Sequence, residues 1–176
     1  MSTYENYKNL IRAVPDFPKE GIIFRDVTNL FKDPVAFKFV IDTMVDNWSG
    51  TQIDHVAGID ARGFIIGGAL AYRMNAGFIA IRKSGKLPSA TLKQCYDLEY
   101  GSAELEIQSD ALHSGQTVML IDDLIATGGT ADAALKLIST AGGVTVGCSF
   151  LVDLPELKGS INLSKQGAKV FSLFSF

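Results

Sequence analysis

Apolar residues along the chain fall into two recurring patterns. Short runs at residues 53–59, 77–81, 118–121 and 143–153 have the length and composition of strands, and the run Val118-Met119-Leu120-Ile121 suits a strand buried on both faces. Other segments repeat apolar residues at helical spacing. Residues 5–14 place Tyr7, Leu10, Ile11 and Val14 on one side, which predicts a short helix broken by Pro15 and Pro18. Asp33-Pro34 predicts the next helix start, with Asp as cap and Pro at the first helical position, and Phe37, Val40, Ile41, Met44, Val45 and Trp48 on one face. Residues 64–72 form a third helical pattern, and Ala131, Ala134, Leu135 and Ile138 a fourth. Strand patterns alternating with helical ones predict an α/β fold with a mostly parallel central sheet flanked by helices. Residues 103–107 alternate as A-E-L-E-I, which predicts an exposed strand, and the apolar tail 168–176 predicts an edge or hood strand.

Composition narrows the class. A chain of 176 residues that is 47% hydrophobic and 20% charged is expected to be one globular domain with a sizeable core. The net charge of −3 argues against nucleic-acid binding driven by bulk charge. Cys95 and Cys148 have no CxxC spacing, and His55 and His113 are scattered, so no disulfide framework or zinc site is expected. There is no apolar signal core or membrane-length run, so the expected location is the cytoplasm. The sequence contains neither GxxxxGK[ST] nor GxSxG, so ATP hydrolysis and esterase chemistry gain no support.

The most informative stretch is VMLIDDLIATGGT, residues 118–130. It reads as strand, acid pair, Gly/Thr loop and helix start, the kind of junction at which open α/β sheets bind ligands. Gly128 and Gly129 let the backbone approach a ligand, and the free N–H groups of the helix start favour an anion. Thr127 and Thr130 add hydroxyl donors. Asp122 and Asp123 would repel that anion, so they point to a neighbouring diol or metal-bearing group. Together these features suggest a phosphorylated ribose.

Other junctions leave two readings each. Ile22-Ile23-Phe24 covers the core edge or forms a pocket in which Phe24 stacks on a flat heterocycle. Arg62, after Asp60-Ala61, is a surface arginine or an oxyanion site at a helix start. The run from Arg82 through Lys83 to Lys86 is a solvated face or a diphosphate site at a strand end.

VMLIDDLIATGGT resembles the phosphoribosyl-diphosphate (PRPP) motif of the type I phosphoribosyltransferases. FPKEGIIFRDVTNLFKDP, DARG, IRKSGKLP, YDLEYG and LVDLPELKG are similar to segments of the adenine-specific members, in the same order. The resemblance implies the type I phosphoribosyltransferase fold with a small hood, formed by the N-terminal and C-terminal segments, and a mobile β-ribbon lid. It implies one domain over 1–176, with the hood about 1–33, a core about 34–153 containing the lid at about 90–108, and a C-terminal segment 154–176. The implied reaction is purine salvage, in which adenine and PRPP give AMP and diphosphate. Phe24 would stack on adenine, the backbone of Ile23 and Arg25 would read its edge, and Leu154 would be the opposite wall. Ala126, Thr127, Gly128, Gly129 and Thr130 would hold the 5-phosphate, and Asp122 and Asp123 the ribose hydroxyls. Arg62, Arg82, Lys83 and Lys86 would face the diphosphate, with Tyr100 closing over PRPP. Glu99 would be the catalytic proton-transfer group near N7. Mg²⁺ would enter bound mainly through PRPP, with no direct protein ligand demanded, and a homodimer is expected. The resemblance also implies a cis peptide at Asp60–Ala61. Two rivals share these motifs: a transferase for another purine and a PRPP-sensing regulator without chemistry.

Overall fold

The computed structural model describes residues 3–97 and 102–176. The chain divides into two compact units, Met1–Thr43 and Met44–Phe176.

In the first unit, α1 (Thr3–Lys8) is followed by β1 (Arg12–Pro15) and β2 (Ile23–Asp26), then α2 (Thr28–Lys32) and α3 (Pro34–Asn47), which runs across the division. The helix expected over 5–14 therefore stops at Lys8. Residues 12–15 instead pair antiparallel with β2, Arg12 opposite Asp26 and Pro15 opposite Ile23. Val14 precedes a proline, which drives it toward extended backbone, and the strand partner decides the outcome. An Arg12–Asp26 ion pair at 2.6 Å closes one end of the ribbon. The start of α3 follows expectation, since Asp33 Oδ1 accepts the N–H groups of Val35 and Ala36 at 2.8 and 3.0 Å.

The second unit is built on β3 (His55–Ile59), α4 (Arg62–Met74), β4 (Gly77–Lys83), β5 (Thr91–Asp97), β6 (Ser102–Gln108), β7 (Thr117–Ile125), α5 (Gly129–Thr140), β8 (Val144–Asp153), α6 (Gly159–Lys165) and β9 (Val170–Ser175). Among the described residues, seven strands form one sheet in the order β5-β6-β4-β3-β7-β8-β9. The pairs β4–β3, β3–β7, β7–β8 and β8–β9 are parallel, and β5–β6 and β6–β4 are antiparallel. The apolar tail is thus an edge strand.

Both faces of the sheet are covered. Ala57, Ile59, Ile79, Ile81, Val118, Leu120, Cys148 and Phe150 form one core cluster with Ala131, Ala134, Leu137 and Ile138 of α5. The alternate residues face α4, where a Cβ on Gly67 would lie 2.8 Å from Phe78 and 2.9 Å from Ile121. Covering a parallel sheet on both sides is what its nearly continuous apolar strands require.

Two expectations are corrected. The acid pair does not follow the strand but lies inside it, because β7 keeps pairing with β8 as far as Ile125 opposite Asp153. The strand over 103–107 is not exposed. Leu105, Glu106 and Ile107 are buried, since β6 lies between β5 and β4 and its face meets α5.

Candidate active site

The strand order reverses beside β3: the chain leaves it for β4 on one side, and β7 lies on the other. The carboxyl ends of β3 and β7 therefore flank a switch point, where open α/β sheets leave a crevice for ligands.

The cradle is built first. Gly128 has φ of +89° and caps α5 with no side-chain hydrogen bond. A residue with a Cβ would resist that conformation. The first N–H groups of α5 have no partner within the helix, and with the helix dipole they suit an anion. Asp122, Ala126, Thr127, Gly128, Gly129 and Thr130 line a cavity of about 160 Å³ at this helix start. Gly159, at the start of α6, supports the loop from behind. Its N–H donates to Ala126 O at 3.0 Å, and a Cβ on it would lie 2.3 Å from that oxygen and 2.8 Å from Gly128 N.

A second cavity of about 410 Å³ shares Asp122 and Thr130 with the first. Its wall adds Asp123, Asp60, Arg62 and Lys83. Successive side chains leave a strand on opposite faces. Asp123 accordingly forms an ion pair with Arg62 Nε at the start of α4, while Asp122 reaches the cradle. Burial and the charge of Asp123 hold the Asp122 carboxyl well above the usual aspartate range.

The cations are oriented by an internal carboxylate. Asp60 accepts from Arg82 Nε at 2.9 Å and from Lys86 Nζ at 3.4 Å. Burial raises the Asp60 pKa, but hydrogen bonds and charge from Arg82 and Lys86 outweigh it and leave the group below its ordinary value. Arg82 also lies 5.7 Å from the Phe64 ring centre and donates to Lys86 O at 3.1 Å. Arg62 and Lys83 thus line this cavity, Arg82 and Lys86 are tied to it through Asp60, and the Asp60–Ala61 peptide is cis.

Of the remaining sequence-identified residues, Ile23, Phe24 and Arg25 belong to the first unit and Leu154 to the second. Phe24 makes an edge contact with Phe17 at 5.2 Å, Ile23 is 54% exposed, and Arg25 is half-buried. Leu154 is half-buried just after β8, its N–H donating to Ile125 O at 3.1 Å. Glu99 and Tyr100 lie outside the described residues. Sequence reasoning missed Asp60 as a partner of the cations, Gly159 as a support of the cradle, and Glu106, whose buried carboxylate holds the loop after β4. A lone carboxylate at a strand end, two residues before Arg62, was a signal for Asp60. Nothing in the local pattern distinguished Glu106 from a solvated acid.

The phosphoribosyl transferase domain family matches residues 29–168. An adenine phosphoribosyltransferase of Cereibacter sphaeroides is 51% identical over 99% of this chain and 98% of its own length. One from Maricaulis maris is 52% identical over 96% of this chain and 97% of its own. Among solved structures, the adenine phosphoribosyltransferase of Thermoanaerobacter pseudethanolicus superimposes with a TM-score of 0.95 at 44% identity, covering 99% of this chain and 100% of that one. The Saccharomyces cerevisiae enzyme, solved with an imino-altritol bisphosphate and adenine, gives 0.90 at 37% identity over 97% and 98%. These likenesses, over nearly the whole length of both chains, place the chain in the adenine phosphoribosyltransferase family.

Proposed function

We propose that this protein transfers the 5-phosphoribosyl group of PRPP to adenine in purine salvage, forming AMP and releasing diphosphate. The observation that carries this reading is the pair of cavities joined at Asp122 and Thr130. One offers helix N–H groups to a terminal phosphate, and the other offers cations to a diphosphate. A ribose spanning them meets the two aspartates.

The cradle anchors the 5-phosphate away from the reacting carbon and so fixes its geometry. Asp122 and Asp123 hold the ribose hydroxyls as C1 acquires positive character. Arg62, Arg82, Lys83 and Lys86 stabilise the negative charge that develops on the departing diphosphate. Phe24 stacks on adenine, backbone groups of Ile23 and Arg25 read its edge, and Leu154 supplies an apolar wall. Glu99 manages the purine proton and Tyr100 shields the reacting sugar from water. These roles rest on the family resemblance.

Among the described residues no group of three His, Cys, Asp or Glu is placed to hold a metal. Asp122 and Asp123 suit water-mediated contacts to Mg²⁺ carried by the diphosphate, since that ion keeps several waters. When bound, the ion would supply charge neutralisation of the leaving diphosphate. The active form is a cytoplasmic homodimer. Ile65 and the 86% exposed Tyr72, seven residues apart on α4, leave exposed apolar surface that supports self-association, and no helix of the described residues is long and apolar enough to cross a membrane.

The test is product formation from PRPP and Mg²⁺ with adenine, hypoxanthine or guanine in parallel. AMP from adenine, with little product from the other bases, is the expected result. Preference for another base would reassign the substrate, and PRPP binding without turnover would favour a sensor.

A further inference from the structure

Glu106 is 2% exposed and lies in the middle of β6, opposite Arg82 of β4 and Lys93 of β5. Its Oε1 accepts the backbone N–H groups of Lys86 and Leu87 at 2.8 and 2.9 Å. Its Oε2 accepts from Thr91 Oγ1 at 3.3 Å. A buried carboxylate is a poor source of stability, because desolvation opposes it and an apolar residue of similar size often serves better. Burial indeed pushes its pKa up, but N–H groups of Leu87, Gly85 and Lys86 bring it below the ordinary glutamate value. The carboxylate therefore stays charged and keeps its acceptors.

What it holds is the loop joining β4 to β5. That loop follows Arg82 and Lys83 and contains Lys86. Lys86 is fixed through three groups: its N–H by Glu106, its carbonyl by Arg82 Nη1, and its Nζ by Asp60. Lys83 lines the larger cavity directly. We infer that Glu106 is a positioning residue for diphosphate, an internal clamp that sets where the cation loop meets the pyrophosphoryl end of PRPP. This rests on the function proposed above. The clamp acts through geometry rather than charge, because the partners of Oε1 are backbone N–H groups at fixed places.

The experiment compares the full chain with Glu106→Gln and Glu106→Asp. Gln keeps the length and the acceptor oxygen but loses the charge. Asp keeps the charge but is one methylene short. The measurements are KM for PRPP, KM for adenine, the Kd for AMP, which lacks the diphosphate, and the melting temperature. Glu106→Asp is expected to raise KM for PRPP by about tenfold, the scale of one lost charged hydrogen bond, with AMP affinity within about twofold of wild type. Glu106→Gln is expected to stay within about threefold of wild type for both, since neutral hydrogen bonds differ from charged ones by less than a lost contact. Equal weakening of PRPP and AMP, or a lower melting temperature with unchanged KM for PRPP, overturns the inference in favour of a merely structural role. Rescue by Asp and not by Gln overturns the geometric account. If Glu106→Asp does not fold, Thr91→Val removes only the hydroxyl that orients Oε2. A rise of about threefold in KM for PRPP then supports the clamp, and no rise overturns it. Wild type that binds no PRPP would sink the functional reading itself, whereas normal PRPP binding with an indifferent Glu106→Asp sinks only this one.

Discussion

Asp122 and Asp123 are neighbours in sequence in different surroundings. Asp123 has a guanidinium partner in Arg62, while Asp122 faces burial and its neighbour's charge. The folded state therefore holds a proton on Asp122 more tightly than the unfolded chain does. With the native pKa raised, the ionised group opposes folding above that pKa, and the penalty fades as pH falls toward the ordinary aspartate value. Asp122→Asn is expected to raise the melting temperature at neutral pH by a few degrees, on the scale of about 2–4 °C per kcal/mol for a chain this size. The gain should shrink to nothing in acid, and a gain independent of pH would contradict the assignment. Under the proposed function the same change also removes a ribose contact, so stability and activity should move in opposite directions. Asp123→Asn is different: it removes the charged partner of Arg62 Nε and leaves a buried polar group poorly matched. A loss of about a hundredfold in kcat/KM is expected, corresponding to 2–3 kcal/mol at a charged hydrogen bond. Steady-state kinetics with PRPP varied would check it. The acid pair was legible in the sequence because adjacent carboxylates beside a Gly/Thr loop are chemically odd. Their unequal environments were not, because those depend on which face of β7 meets α4.

At the scale of elements, the cradle is a packing arrangement as much as a motif. Gly128 turns the chain at positive φ, and Gly159 lies against it so closely that a Cβ would meet its backbone at 2.8 Å. The two nearest atoms, Ala126 O and Gly128 N, are backbone and cannot give way as the Ile125 side chain could. Gly159→Ala is expected to push the loop from behind and weaken AMP binding by at least about tenfold, a 1.4 kcal/mol effect, while the circular dichroism spectrum stays native. Titration calorimetry with AMP would measure this, and unchanged affinity would show that α6 does not support the loop. The sequence made Gly128 conspicuous inside TGGT, but Gly159 is distant along the chain and only the fold brings it there. The same division explains the misread strands. Residues 12–15 looked helical until β2 offered a pairing edge. Residues 103–107 looked exposed because their period was two, yet β6 is an interior strand whose alternate glutamate is buried against a loop. A period of two reports that faces differ and does not say that one of them meets water.

Across the whole molecule, the net charge is −3, yet Arg62 and Lys83 line one cavity and Arg82 and Lys86 are paired with its Asp60, while Asp123 pairs with Arg62. An acidic chain with a cationic wall attracts a polyanion through local rather than bulk charge. Raising ionic strength from about 0.05 to 0.5 M shortens the screening length severalfold, so KM for PRPP should rise severalfold while KM for adenine stays nearly flat. Equal sensitivity of both substrates would argue against a cationic diphosphate site. The α/β class and the order of the junctions were legible because strand and helix periods alternate along the chain. Strand order was not, since β6 joins the sheet beside β4 through a reversal that no local pattern encodes.

The central claim is that terminal phosphate and diphosphate occupy two adjoining cavities separated by the acid pair. A crystal structure with AMP and diphosphate bound together tests it most directly. The account predicts the AMP phosphate within hydrogen-bond distance of the N–H groups of Gly128, Gly129 and Thr130, the ribose hydroxyls on Asp122 and Asp123, and diphosphate against Arg62 and Lys83. An AMP phosphate on Arg62 and Lys83, with the cradle left to solvent, would contradict it.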